Sequence, residues 1–263
     1  MILDRFKLTD KVAIVTGGGK GIGRGIAFAF AEAGADIVAA ARTPSDLAET
    51  ARGVQERGRR SLTVQADVTK TEDLERLVQA TLDEFGKVDI LVNNAGGTGP
   101  RAALQTSETY FEAALRFNVT QAFLLSRMVV PKMVETAGAG AIVNISSRSS
   151  DMVQTSFVAY GAGKAALNMM TRNLAPELAP KVRINAISTG GVATEALQVV
   201  LTDEALREQF DAHTPMRRPG TVEDIAAAAL YLASPASAWV TGKIFQIDGG
   251  AECPAISVPV PLL

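Results

Sequence analysis

Short apolar runs rich in valine, isoleucine and alanine alternate with longer stretches whose apolar side chains recur every three or four positions, almost to the end of the chain. A run apolar at successive positions suits a strand covered on both faces, and the spaced pattern suits the helices that cover it. Strands are accordingly predicted near Val12-Thr16, Ile37-Ala40, Leu62-Gln65, Ile90-Asn93, Ala141-Ile145, Arg183-Ile187 and Ile244-Ile247. Seven strands joined by helices predict an α/β fold of Rossmann type: one doubly wound, parallel seven-stranded sheet with helices on both faces.

Helix ends are marked as well. Thr69-x-x-Glu72 and Thr221-x-x-Asp224 have the form of capping boxes. Ser107 or Thr106 can cap a long run ending near Glu135, which the glycines up to Gly140 break before the fifth strand. Two segments depart from the alternation. Residues from about Gly190 to Gly220 form a long insertion with a helical stretch near Asp203-Asp211, the length and place of a lid or substrate loop. The tail from Ala251 to Leu263 holds three prolines and six Ala, Val, Ile or Leu side chains among its last nine residues, which predicts packing on a neighbouring subunit.

Composition narrows the class. A chain of 263 residues with 47% apolar content can bury a large core as a single domain spanning 1–263. Its 26 basic and 28 acidic residues give a formal charge of −2 with no run of one sign, so neither nucleic acid nor an anionic membrane is an expected partner. The single cysteine, Cys253, leaves no intrachain disulfide and fits a reducing compartment. The charged stretch Met1 to Lys11 does not read as a signal peptide, and no later run reaches the ~18 apolar residues of a membrane span. A cytoplasmic protein is expected.

Candidate chemistry begins right after the first strand, where Gly17, Gly18, Gly19, Gly21, Gly23 and Gly25 crowd a turn. Such a turn lets backbone approach a pyrophosphate and aims helix N-terminal amides at it, although tight turns also use glycine for steric reasons alone. The register is Thr16-Gly17-x-x-x-Gly21-x-Gly23. The second strand ends in Ala39-Ala40-Ala41-Arg42, with no acidic residue for the ribose hydroxyls of NAD(H). Arg42 and Lys20 are instead two cations for the 2′-phosphate of NADP(H), the alternative being solvated surface charges. Farther on, Tyr160 and Lys164 are four residues apart, hence on one helix face, where the ammonium is expected to lower the phenol's pKa towards working pH. His213 is the lone histidine, and no Cys/His spacing supports a metal.

The motifs Thr16-Gly17-x-x-x-Gly21-x-Gly23, Asn93-Asn94-Ala95-Gly96, Asn118, Ser147 and Tyr160-x-x-x-Lys164 occur in the order and spacing of the short-chain dehydrogenase/reductase family, which the chain resembles over nearly its whole length. Asn94 to Pro100 and His213 to Arg218 most resemble the family's bacterial 7α-hydroxysteroid dehydrogenases; the tail resembles uncharacterised actinobacterial members. The resemblance implies a catalytic set of Asn118, Ser147, Tyr160 and Lys164. Tyr160 would exchange a proton with the substrate oxygen, Ser147 would orient that oxygen, Lys164 would hold the nicotinamide ribose, and Asn118 would seat a relay water from within the long helix. It further implies cofactor contacts from Gly17, Gly19, Lys20, Gly21, Ile22, Gly23, Arg42, Asp67, Val68, Asn94, Ala95 and Gly96, and from Gly190, Val192 and Thr194 at the carboxamide. Three of these have bland alternatives: Ser147 and Asp67 as turn caps, and Asn118 as a partner of helix backbone.

Thr189 stands where the family usually has proline, and its flexibility is expected to loosen the turn under the nicotinamide. These readings converge on an NADP(H)-dependent enzyme interconverting a ketone and a secondary alcohol. The substrate is expected to be bulky and apolar, steroid- or terpenoid-like, walled by Met152, Val153, Phe157, Leu197 and Val200. One alternative is reduction of a 3-oxoacyl thioester, with Arg101 and Arg148 as a docking patch for an acidic carrier. Another is a cofactor-binding scaffold without turnover. Phe123-Leu124-Leu125 and Met169-Met170 place apolar residues beyond one stripe of their helices, and the resemblance implies a homotetramer.

Overall fold

The computed structural model describes residues 1–256, except for the side chains of Ala196, Val199 and Val200. Within them the strands are β1 (Val12–Thr16), β2 (Asp36–Ala41), β3 (Ser61–Gln65), β4 (Ile90–Asn93), β5 (Gly140–Ser147), β6 (Val182–Thr189) and β7 (Ile244–Ile247). They form one seven-stranded sheet in the order β3-β2-β1-β4-β5-β6-β7, every pairing parallel. The predicted sheet is borne out. β5 and β6 outrun their predicted limits because they pair with each other over their full length, from Gly140 opposite Val182 to Ser147 opposite Thr189.

Alternation along each strand builds two cores. Ala13 and Val15 of β1 face α1 (Gly21–Glu32), α2 (Pro44–Glu56) and α9 (Val222–Ala233), packing with Phe30, Leu47 and Ile225. Val12 and Ile14 face the opposite way, towards α3 (Thr71–Phe85), α5 (Gln121–Ala137) and α6 (Val158–Leu178), and pack with Leu74, Leu125 and Met133. Each central strand is thus covered on both sides, as its unbroken apolar run requires.

The caps divide. Thr221 and Asp224 form the predicted capping box, and Ser107 accepts from the Tyr110 amide at 3.2 Å to start α4 (Glu108–Leu115). The Thr69 box is a misreading: α3 begins at Thr71, and the Thr69 hydroxyl turns back to Asp67 at 2.7 Å. The run from Ser107 to Glu135 is helical throughout but not regular. A π-helical turn, Arg116–Thr120, separates α4 from α5.

After β6 the insertion carries α7 (Gln198–Thr202) and α8 (Glu204–His213), with Asp203 capping the latter through the Leu206 amide at 3.0 Å. Its two ends are clasped. Val192 bridges Gly220, and Ala193 donates to the Gly220 carbonyl at 2.8 Å. Of the tail, Ala251 is buried, while residues 257–263 lie outside the described set. No helix among the described residues is long and apolar enough to cross a membrane.

Candidate active site

The strand order reverses between β1 and β4, and in open parallel sheets a crevice opens beyond the carboxyl ends of the strands at such a point. Here the Thr16 hydroxyl ties the crevice together: it donates to the Val92 carbonyl at 3.3 Å and accepts from the amides of Asn94 and Ala95, each at 3.1 Å. Asn94 returns the favour through its side-chain amide, donating to the Thr16 carbonyl at 2.9 Å. Gly23 is required by close approach, since a Cβ there would lie 2.3 Å from the Gly17 carbonyl oxygen.

A cleft of about 430 Å³ follows the crevice. It collects Gly17, Lys20, Gly21 and Ile22 from the first turn, Arg42 from the end of β2, Asp67 and Val68 from after β3, and Asn94, Ala95 and Gly96 from after β4. Tyr160, Lys164 and Thr194 complete the predicted set along its wall. Gly19, Gly23, Gly190 and Val192 stand behind the lining instead. Two supports of the turn escaped the sequence reading: the buried Thr50 hydroxyl donates to the Gly18 carbonyl at 2.9 Å, and Arg24 donates to that of Gly19 at 2.8 Å. Thr50 carries a faint signal, being a polar residue on the apolar stripe of α2, three positions beyond Leu47.

The two predicted phosphate cations part company. Arg42 is exposed beside Asp67, whose carboxyl is held below its ordinary value first by the Thr69 hydroxyl, with a smaller contribution from Arg42. Lys20 lines the cleft together with Glu195 of the insertion and pairs with it at 2.5 Å, which raises the lysine's pKa and lowers the glutamate's. Of the two cations expected at the 2′-phosphate, Lys20 thus already has a carboxylate partner. Glu195 itself was missed, because only the fold-back of the insertion brings it to a residue 175 positions earlier. Asp67 takes its bland alternative as well as its place in the cleft, accepting the Thr69 amide at 3.0 Å.

Tyr160 and Lys164 share one face of α6, with the Lys164 Nζ 5.7 Å from the phenol ring centre. Asn118, in the π-helical turn, is buried; its Oδ1 accepts the Gly97 amide at 2.9 Å and its Nδ2 donates to the Ala114 carbonyl at 2.9 Å. A Cβ on Gly96 would lie 3.0 Å from both the Asn118 Oδ1 and the Lys164 Nζ, so this bare residue lets amide and ammonium converge. Ser147 ends β5 near enough to Tyr160 to act on its phenol. Its oxygen also accepts the Ser149 amide at 3.2 Å, so it caps a turn too. Tyr160 and Lys164 line the cleft, while Ser147 and Asn118 stand behind them.

Their electrostatics differ from expectation. Burial pushes the Tyr160 phenol above its ordinary range, and the nearby Ser147 hydroxyl acts against that. Burial likewise pulls Lys164 down to about 8. The lysine is 3% exposed and donates at 2.8 Å to the Ile145 carbonyl rather than to the phenol, so desolvation of both groups outweighs the predicted cation effect.

The remaining candidates sort by contact. Thr189 does not loosen its turn: it is the last residue of β6, and its hydroxyl donates to the Ser146 carbonyl at 3.3 Å. Arg148 is no docking patch, since it pairs with Asp248 at 2.9 Å with only 11% of its side chain exposed. Arg101 stacks on Tyr110, 4.1 Å from the ring centre. Of the expected substrate wall, Phe157 meets Tyr160 edge-on at 6.0 Å and Leu197 is half-buried. Val153 is 90% exposed, and the Val200 side chain lies outside the described set.

Comparison with known proteins adds context to this geometry. The family model described as enoyl-(acyl carrier protein) reductase matches residues 17–252. An uncharacterised oxidoreductase of Mycobacterium tuberculosis (strain CDC 1551 / Oshkosh) is 47% identical over 261 residues, covering 99% of both chains. The 7α-hydroxysteroid dehydrogenase of Escherichia coli K12 is 39% identical over 94% of this chain and 96% of its own. A solved 7α-hydroxysteroid dehydrogenase, in complex with NADH and 7-oxo glycochenodeoxycholic acid, superposes with a TM-score of 0.91 at 37% identity over 95% of this chain and 97% of that one.

The buried lysine makes stability depend on pH. Its folded-state pKa of about 8 lies below its ordinary value of 10.5, so the unfolded chain binds more protons between those values and stability rises with pH across that window. Relative to a Lys164→Met variant, the parent is expected to gain about 2 kcal/mol in urea unfolding between about pH 7.5 and 9.5. Parallel curves for the two proteins would show that the ammonium is not desolvated.

Proposed function

Because this chain belongs to the short-chain dehydrogenase/reductase family, oxidoreductases that use a nicotinamide cofactor, we propose that it interconverts a ketone and a secondary alcohol with NADP(H). The observation that carries the chemistry is that Tyr160 and Lys164 line the cleft with Ser147 acting on the phenol and Asn118 meeting the ammonium across Gly96. The residues present fit the cofactor. Backbone amides at the start of α1 suit a pyrophosphate, Asn94 to Gly96 line the cleft, and Thr194, with Val192 behind the lining, would hold the carboxamide.

When bound, the nicotinamide supplies or takes the hydride. Tyr160 gives its proton to the substrate oxygen during reduction and recovers it during oxidation. A phenol held protonated by burial is ready for the first of these tasks. Ser147 donates to the same oxygen as charge builds on it, a preorganised contact in a water-poor site. Lys164, with its pKa near working pH, holds the ribose and exchanges protons on the side that Asn118 faces.

Cofactor choice rests on the end of β2, where Arg42 is exposed and no carboxylate takes the ribose hydroxyls. The solved relative holding NADH is a counterexample within the family, so the preference is argued from this chain's own residues. Phe157 and Leu197 favour a bulky apolar substrate, steroid- or terpenoid-like. Reduction of a carrier-bound 3-oxoacyl thioester is disfavoured by the loss of Arg148 to its ion pair. A scaffold role is disfavoured by the complete catalytic set. Phe123 and Met169 remain exposed on the outer faces of α5 and α6, which supports a homotetramer.

Tyr160→Phe is expected to lower kcat by about 10²–10⁴-fold on a panel of steroids, cyclic ketones and acyl thioesters while NADPH binding, followed by fluorescence, is retained. Residual turnover near the parent's would remove the phenol from the mechanism. For the cofactor, a charge-assisted contact from Arg42 contributes roughly 1.5–3 kcal/mol, so kcat/KM should favour NADPH over NADH by about tenfold or more. Ala41→Asp with Arg42→Ser should invert that ratio. Glu195→Gln frees Lys20 from an exposed surface pair and should raise NADPH affinity by a few-fold at most. Equal use of both cofactors by the parent would refute the assignment. Sedimentation velocity at micromolar concentration should find tetramers; monomer alone would refute the assembly.

A further inference from the structure

The turn that follows β5 is held from two sides. On the α6 side, the Asn168 amide donates to the Ser150 hydroxyl at 2.8 Å, and the Ser149 carbonyl packs on bare Gly161, one residue after Tyr160. On the β7 side, Arg148 reaches across: its Nε meets Asp248 at 2.9 Å, Nη1 meets Asp151 at 2.9 Å, and Nη2 donates to the Ala251 carbonyl at 3.3 Å. Gln246 of β7 adds a bond to Asp151 at 2.9 Å. Asp248 is 10% exposed and spends its other oxygen on the Gly250 amide at 2.9 Å.

We propose that Arg148 is a positioning residue for the hydride-transfer site, fastening the Ser147 turn to the segment after β7 so that the Ser147 hydroxyl stays in register with Tyr160. This rests on the role of Ser147 given above. Ser147 sits where the chain leaves the sheet: its backbone pairs with Thr189, but its hydroxyl answers to the next residues, accepting from the Ser149 amide and donating to the Ser149 hydroxyl at 3.3 Å. The α6 contacts hold the turn from the Tyr160 side, and the Arg148 contacts hold it from the opposite side. A guanidinium suits the task, because its planar fork can hold two carboxylates and a carbonyl at once.

The test separates positioning from bulk stability. Arg148→Met strands Asp248 as a buried, unpaired charge and is expected to destabilise the fold. The double variant Arg148→Met/Asp248→Asn removes that charge while an amide oxygen still accepts from Gly250, so its melting temperature should return towards the parent's. Its kcat and kcat/KM for the ketone should nevertheless fall together by about tenfold or more, part of the roughly 100-fold that losing such a donor outright costs. NADPH affinity should stay within about twofold, since an interaction lost only in the transition state leaves binding intact. The isotope effect with 4-deuterated NADPH should rise as chemistry becomes slow, and Arg148→Lys, which keeps the charge but not the fork, should recover part of kcat.

One readout needs no turnover. The nearby Ser147 hydroxyl acts on the Tyr160 phenol against the effect of its burial, so loss of register should move the ultraviolet titration of Tyr160 to higher pH, with Tyr160→Phe subtracted to remove Tyr110 and Tyr231. A double variant with the parent's kcat and the parent's phenol titration would overturn the proposal and leave the ion pair a structural brace. A parent that reduces no ketone, with the titration shift present, would overturn the proposed function and leave the positioning role standing.

Discussion

The site depends on the burial of an ammonium group. Lys164 is 3% exposed, has no carboxylate partner among the described residues, and leans on one strand carbonyl and the space left by Gly96. An ammonium taken out of water with so little compensation costs several kcal/mol. Such a group is kept only where the surrounding layers are stable enough to offset the cost, and two apolar cores packed on a fully paired sheet supply that margin. The consequence is a lysine whose pKa falls from its ordinary 10.5 to about 8.

Charge at the outer end of the cleft is arranged differently. Lys20 and Glu195 are both exposed, so their bond is cheap to break and sensitive to salt, whereas the Arg148 and Asp248 pair is enclosed and holds its geometry. Both are cation–carboxylate pairs, and depth is what separates them.

Much of the fold was legible in the sequence. A strand such as Ile90–Asn93, buried on both faces and bounded by polar residues, announces itself with almost no ambiguity. Thr221 and Asp224 form the box their spacing promised, but Thr69 does not, because Asp67 competes for the same hydroxyl and nothing local ranks the two. In the site, positions fixed by short-range geometry were legible: the glycine turn, the i, i+4 pair on α6, and the end of β2. What depends on chain segments meeting far from one another was not. Glu195 reaches Lys20 and Asp248 reaches Arg148 only after the sheet is assembled, and the tyrosine's pKa follows from a burial that no spacing reports.

The π-helical turn between α4 and α5 has a consequence for how this protein can vary. Each residue advances an α-helix by about 100°, so one extra residue accommodated between Arg116 and Thr120 sets the rotation of everything on either side of it. Removing one residue there would restore a regular helix and swing Asn118 off the face on which it meets Gly97, or else carry the Leu125, Val129 and Met133 stripe of α5 out of the core. Substitutions in this stretch can be absorbed one at a time; changes of length cannot. The chain is thus tolerant in composition and rigid in count at the place where its helix is least regular.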